Sequence, residues 1–412
     1  MYSVPSGERI HIGIFGKTNA GKSSLLNAIS AQESAMVSDV PGTTTDPVRR
    51  VMEILPLGPV VLYDTPGLAD TGELGDMRKA QTYKVLSRVH MALVVLDGVR
   101  KPDAVELGLI ADIRARKLPY IVVYNKCDTD TEGAGEPENG KSVPTLSYAA
   151  GGTENAPAIA VSAKTGYHIR ELKERMAGCM SGLLRQQDML ADLIRPGDLV
   201  ILVVPIDSAA PKGRLILPQQ MALREVLDCH AQALVVQDTE LSDALATCHR
   251  KPALVVTDSQ AFHKVVQIVP EDIALTSFSI LMARKKGGLK TLLAGADMLD
   301  HLQDGGRILI CEGCTHHRQC DDIGTVKMPA WIQKYSHAEL TFTFTSGNGF
   351  PEDLSSYALI VHCGGCMLGE QEIAARQQQA VSQDVPMTNY GMAIAKMNGI
   401  LDRSLLHGVL RQ

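Results

Sequence analysis

Gly16-x4-Gly21-Lys22-Ser23, within "HIGIFGKTNAGKSSLLNAIS", sets glycines, an amine and a hydroxyl at the spacing of a phosphate-binding loop. Glycines let backbone amides curl around phosphate oxygens, Lys22 reaches the outer phosphates and Ser23 can ligate magnesium, with Asn19, Ala20 and Ser24 completing the loop. Further on, "VVLYDTPGLAD" ends an apolar run in Asp64-x-x-Gly67, where the carboxylate can hold magnesium through water and the Gly67 amide can meet a terminal phosphate. Thr44, in "PGTTTDP", is the candidate direct ligand of that metal. Asn125-Lys126-x-Asp128 lets Asp128 accept both hydrogen bonds from the N1 and 2-amino edge of guanine, and Ser162, Ala163 and Lys164 supply a last base-contacting loop. The expected ligands are therefore GTP and Mg2+. Leu68 stands where Ras-like enzymes place a water-orienting glutamine, so hydrolysis is expected to be slow. Glu73 or Asp70 could orient water instead, although a solvated loop charge explains either residue equally simply.

A second chemistry lies near the other end. "VHCGGCM" holds Cys363 and Cys366 around Gly364 and Gly365, and "ILICEGCTHH" holds Cys311, Cys314, His316 and His317. A thioredoxin-like dithiol wants its first cysteine at a helix N-terminus and has no need of further cysteines and histidines. Zinc accepts mixed thiolate and imidazole ligands, and on spacing alone it competes seriously. A [4Fe–4S] cluster on three cysteines leaves one iron open to exchange. The glycine pair would free the backbone to wrap a bulky ligand with no Cβ to collide with sulfide.

These residues need elements to hold them. The front of the chain reads as strand, loop and helix, with Leu25, Leu26 and Ile29 on a helical period. A nucleotide-binding domain over residues 1–186 ends in a helical stretch before "RPGD". "LVILVVPID", "QALVVQD" and "PALVVTD" then alternate with helical stretches, a small parallel α/β unit over 190–270. Residues 271–412 repeat the pattern, with strands expected at "RILICEGC", "ELTFTFTSG" and "YALIVHCGGCM". The fold class is α/β throughout. In such sheets ligands gather at the carboxyl ends of strands, where both cysteine groups lie.

The 412 residues suffice for two or three domains of roughly 100–200 residues each. Charged residues are 21% and apolar residues 45%, ordinary folded-protein usage. A net charge of -6, with 19 Lys+Arg against 24 Asp+Glu over residues 190–412, and only 4% aromatics argue against nucleic acid as a partner. The start has no charged segment leading into a long apolar one and no 18-residue apolar run follows, so a cytoplasmic protein without membrane association is expected. Nine cysteines is an odd count, and five of them fall within 56 residues, unlike a disulfide scaffold.

The five nucleotide motifs, in order, resemble the translation-factor-related GTPases, and especially the branch of tRNA-modifying and ribosome-assembly GTPases with "NAGKSS" and "GTT" elements. That resemblance implies a potassium site using Asn19 and K+-stimulated hydrolysis of GTP. Cys314-x-His316, 45 residues, then His362-Cys363-x-x-Cys366, joined to such a front end, resembles the HydF family of [FeFe]-hydrogenase maturation GTPases along the whole chain. The resemblance implies a GTPase domain, a dimerisation domain and a cluster-binding domain, and a homodimer. It further implies a [4Fe–4S] cluster on Cys314, Cys363 and Cys366, with His316 or His362 near or on the fourth iron and Asp207 a competing carboxylate. The implied function is that of a scaffold receiving a di-iron precursor from two radical-SAM maturases and delivering it to apo-[FeFe]-hydrogenase. The competing reading is a translation or tRNA-modification GTPase with a zinc domain.

Overall fold

A computed structural model of the protein describes residues 6–31, 38–40, 48–68, 73–98, 100–127, 158–180, 188–206, 215–313, 322–347 and 349–411. The chain divides into two compact units, Met1–Arg185 and Gln186–Gln412. Both are α/β.

The first unit carries a seven-stranded sheet. Its order is Ser38–Val40, Val48–Ile54, Gly58–Asp64, Ile10–Gly16, Met91–Asp97, Tyr120–Asn125 and Ala158–Ala160. Ile10–Gly16 is buried at every position and runs parallel to both its neighbours, so its continuous apolar sequence reflects helices covering both faces. The first two strands in the order pair antiparallel at one edge. Helix Lys22–Ala31 begins just after Gly21 and buries Leu25, Leu26 and Ile29 against this sheet. Helix Ala104–Ala115 starts at Asp103, whose carboxylate accepts from the amides of Val105 and Glu106 in a capping box.

The second unit holds two four-stranded sheets, each wholly parallel. One runs Ala274–Ser277, Leu254–Thr257, Leu199–Val203, Gln232–Val236; the other runs Thr341–Ser346, Arg307–Glu312, Leu359–His362, Met387–Asn389. The strand Ala274–Ser277 pairs residue by residue with Leu254–Thr257, so the first of these sheets continues past residue 270, where the sequence reading starts a third domain. "ALTS" is short, ends in hydroxyls and runs directly into helix Phe278–Lys285, so periodicity alone does not separate it from that helix.

One apolar core spans both sheets. Ile201, Val255 and Phe262 from the first part belong to the same buried cluster as Ile308, Ile310 and Val361 from the second. The end of the chain ties them again: Arg403 donates to the carbonyls of Val269 and Pro270, each at 2.7 Å, and Leu405 and Leu410 enter the shared core. Among the described residues, no helix is long and apolar enough to cross a membrane.

Phe262 is fully buried in that core. Phe262→Ala is expected to destabilise the protein by about 3–5 kcal/mol, read as a lower urea midpoint by circular dichroism.

Candidate functional site

Among the described residues, Lys22, Ser23, Asp64, Gly67 and Asn125 come together at the carboxyl ends of strands of the first unit. Lys22 is buried beneath the loop, its ammonium donating to the carbonyls of Gly16 at 3.1 Å and Lys17 at 2.8 Å. Burial pushes the Lys22 pKa down, and Asp64 opposes that shift. Ser23 Oγ donates to Asp64 Oδ2 at 2.6 Å, while Asp64 Oδ1 is buried without a hydrogen-bond partner. A hydroxyl touching a carboxylate whose other oxygen is orphaned fits a divalent cation. Gly67 lies against Thr18 of the loop, so the two phosphate-facing turns meet.

Asn125 joins the remaining motifs. Its Nδ2 donates to the Ala20 carbonyl at 3.1 Å, and its Oδ1 accepts from the Ala163 amide at 3.0 Å. Gly21 sits at φ +90, and a Cβ there would stand 2.2 Å from Asn125 Nδ2, so this glycine is required by both backbone and neighbour. Lys126 pairs with Asp97 at 2.7 Å, Ser162 Oγ accepts from the Thr165 amide at 3.1 Å, and Lys164 is exposed. Asn19, Ser23 and Ser24 are exposed along the loop, and Asn19 adopts φ 66. Thr44, Asp70 and Asp128 lie outside the described residues; Glu73 opens helix Glu73–Leu86, with its side chain outside the description.

In the second unit, Leu359–His362 lies beside Arg307–Glu312 in parallel register, with Cys311 opposite His362. Gly313, just after one strand, therefore stands beside Cys363, just after the other. Cys363 Sγ accepts from the amides of Gly313 at 3.0 Å and Gly365 at 3.3 Å. Burial raises the Cys363 pKa and these two amides oppose the rise. Burial also raises that of Cys366, which Lys286 opposes. Amides aimed at sulfur favour thiolate character, which fits a metal–thiolate centre.

The cysteine loop is held by two buried groups, His362 with Arg376, and Lys286. His362 is buried, its Nε2 accepting from Arg376 Nη1 at 3.0 Å, which leaves Nδ1 to carry the proton and donate to the Cys363 carbonyl at 2.8 Å. Burial, then the Arg376 charge, pushes its pKa down to about 3, so the ring is neutral. Arg376 also donates to Glu372 at 2.6 Å and to the Gly347 carbonyl at 2.7 Å. Lys286 holds the loop as well, donating to the carbonyls of Gly365 and Leu368, and burial pushes its pKa down to about 8. A small cavity here is lined by Lys286, His362, Cys363, Gly364, Gln377 and Asn389, among others, and Gln377 Nε2 is buried with no partner.

Gly365 adopts φ +63, and a Cβ on it would stand 2.7 Å from Ile373 Cδ1, whereas a Cβ on Gly364 would find only Ser279 Oγ at 3.9 Å. The glycine pair is thus split: backbone conformation requires the second, and the first has room for a methyl. Cys311 lies in the apolar core, and burial pushes its thiol up to about 12. Cys314, His316, His317, Cys320 and Asp207 lie outside the described residues. Among the described residues, no group of three His, Cys, Asp or Glu is arranged to hold a metal.

Sequence reasoning missed Lys286, Arg376 and the Gly313 amide. "ARKKGG" reads as an ordinary basic helix end and "AARQQQ" as a solvated helix face; neither motif announces which cation turns inward.

Family models described as the hydrogen maturase F dimerization domain and the hydrogen maturase F tetramerization domain match residues 189–287 and 290–407. A third, described as a 50S ribosome-binding GTPase, matches residues 11–126. A GTPase Der from Wolinella succinogenes is 40% identical over 173 residues, 40% of this chain and 35% of that protein. A tRNA modification GTPase MnmE from Nitrosomonas europaea is 36% identical over 143 residues, 34% of this chain and 30% of that protein. The chain spans about a third of the length of these curated relatives. Among solved structures, the G domain of the T. maritima FeoB iron transporter covers 42% of this chain and 99% of its own at 22% identity, with a TM-score of 0.30.

Gly365→Ala is expected to cost about 1–3 kcal/mol through its left-handed backbone and the Ile373 contact. Gly364→Ala should stay within about 0.5 kcal/mol of the parent. Urea unfolding of the two variants checks the difference.

Proposed function

The chain belongs to the hydrogen maturase F family, and from that premise we propose that it is a GTP-hydrolysing scaffold for maturation of [FeFe]-hydrogenase. The observation that carries this reading is the Cys363–Cys366 loop, which lies within the residues matched by the tetramerization model and holds amide donors aimed at Cys363 sulfur. Its strand neighbours the one leading to Cys314.

In this proposal Cys314, Cys363 and Cys366 hold a [4Fe–4S] cluster. Such a cluster on three cysteines supplies one iron with an exchangeable position for incoming ligands. His316 is left as the imidazole candidate for that position. Both ring nitrogens of His362 are engaged, by Arg376 and by the Cys363 carbonyl, which supports a role in orienting the loop. The cargo is a di-iron precursor received from two radical-SAM maturases and passed to apo-[FeFe]-hydrogenase in the cytoplasm.

GTP is the substrate of the first unit. Lys22 neutralises the outer phosphates, Ser23 and Asp64 hold Mg2+, with Thr44 its further ligand, and Asp128 selects guanine. Leu68 after Asp64-x-x-Gly67 offers no side chain to orient water, which supports slow turnover with Glu73 or Asp70 as candidate substitutes. Asn19 turns an exposed amide outward from a left-handed backbone, which supports a K+ site at the phosphates. Nucleotide state then biases partner contacts through segments 38–47 and 65–80. The domain descriptions support a homo-oligomer built from dimers.

Anaerobic reconstitution with iron and sulfide, followed by visible absorption, EPR and iron and zinc analysis, tests the cluster. A brown protein with about four irons per chain is expected; a colourless protein with stoichiometric zinc overturns the reading and favours the zinc-domain alternative. GTP hydrolysis should fall roughly tenfold or more when Na+ replaces K+, and Asn19→Ala should remove the difference; equal rates in the two salts would remove the potassium site.

A further inference from the structure

Lys286 is only 8% exposed, yet its ammonium meets no carboxylate within ion-pair distance among the described residues. Two of its three N–H bonds go to the carbonyls of Gly365 and Leu368, which flank Cys366 in the chain. Those neutral acceptors orient the ammonium without cancelling its charge. A buried cation left unpaired is strongly disfavoured, so this arrangement calls for an anion. Lys286 lines the same small cavity as Cys363, and the two carbonyls it holds stand on either side of Cys366 in the chain.

Lys286 follows helix Phe278–Lys285, inside the residues matched by the dimerization model, whereas the cysteine loop belongs to the residues matched by the tetramerization model. The cysteine site thus draws its positive charge from the neighbouring sequence segment.

We propose that Lys286 is the counter-charge of the Cys363–Cys366 metal site: it selects a metal–thiolate centre of net negative charge and raises that centre's reduction potential. A doubly positive cluster core on three thiolates is an anion, and one-electron reduction makes it more so. A fixed ammonium beside it stabilises the reduced form over the oxidised one. The inference rests on the cluster reading above, and Lys286 is a positioning residue that touches the loop rather than the reacting atoms.

The test uses the full chain, reconstituted anaerobically, with iron content and an EPR-monitored redox titration as readouts. Lys286→Gln keeps two hydrogen-bond donors without the charge, Lys286→Met removes both in a similar volume, and Lys286→Arg keeps the charge. Both neutral variants should show a reduced-to-oxidised ratio about tenfold lower at a fixed ambient potential, about 59 mV for one electron, with Lys286→Arg close to the parent. Should the neutral variants fail to hold iron while Lys286→Arg holds it, the counter-charge role is equally supported. A folded neutral variant with the parent's potential overturns the inference, as does Lys286→Arg behaving like the neutral pair, which would leave only a packing role. If the parent itself takes up no iron, the cluster reading falls and this inference with it.

Discussion

Parallel pairing of Arg307–Glu312 with Leu359–His362 is the constraint on which the cysteine site depends. Parallel strands point their carboxyl ends the same way, so the loops that follow leave from one edge of the sheet. Both strands are buried among apolar side chains, so hydrophobic burial in the core that Cys363 packs against holds their pairing. The Gly313 amide reaches Cys363 as a result. Packing chemistry thereby sets where the cysteine pair stands.

Around that frame two buried cations do different work. Arg376 has a carboxylate partner in Glu372 and stacks near Phe350, so its charge is balanced locally and its remaining capacity fixes the His362 ring. Lys286 is held by carbonyls alone. In the first unit the logic is similar but local: Asn125 bridges two loops, and Asp64 keeps one oxygen without a partner.

Much of this was legible in the sequence because its signals are short-range. The phosphate loop, Asp64-x-x-Gly67 and Asn125-Lys126 each combine a strand end with a turn, and the three strands around the cysteines stand out as apolar runs closed by glycine or serine. What escaped was long-range. Lys286 lies 79 residues from the Gly365 carbonyl it binds, and nothing in "RKKGG" distinguishes it from Lys285. The strand Ala274–Ser277 was missed because four residues that lead straight into a helix carry too little period to read. The glycine pair was read as clearance for sulfide, while the structure accounts for Gly365 by its own backbone and Ile373.

The return of Arg403 to the carbonyls of Val269 and Pro270 has a bearing on synthesis. During translation, the segment around Val269 and Pro270 leaves the ribosome long before Arg403, which bonds its carbonyls, and before the leucines that enter the shared core. The second unit is thus completed from its far end: Leu405 and Leu410, among the last residues made, finish a core that both sheets began.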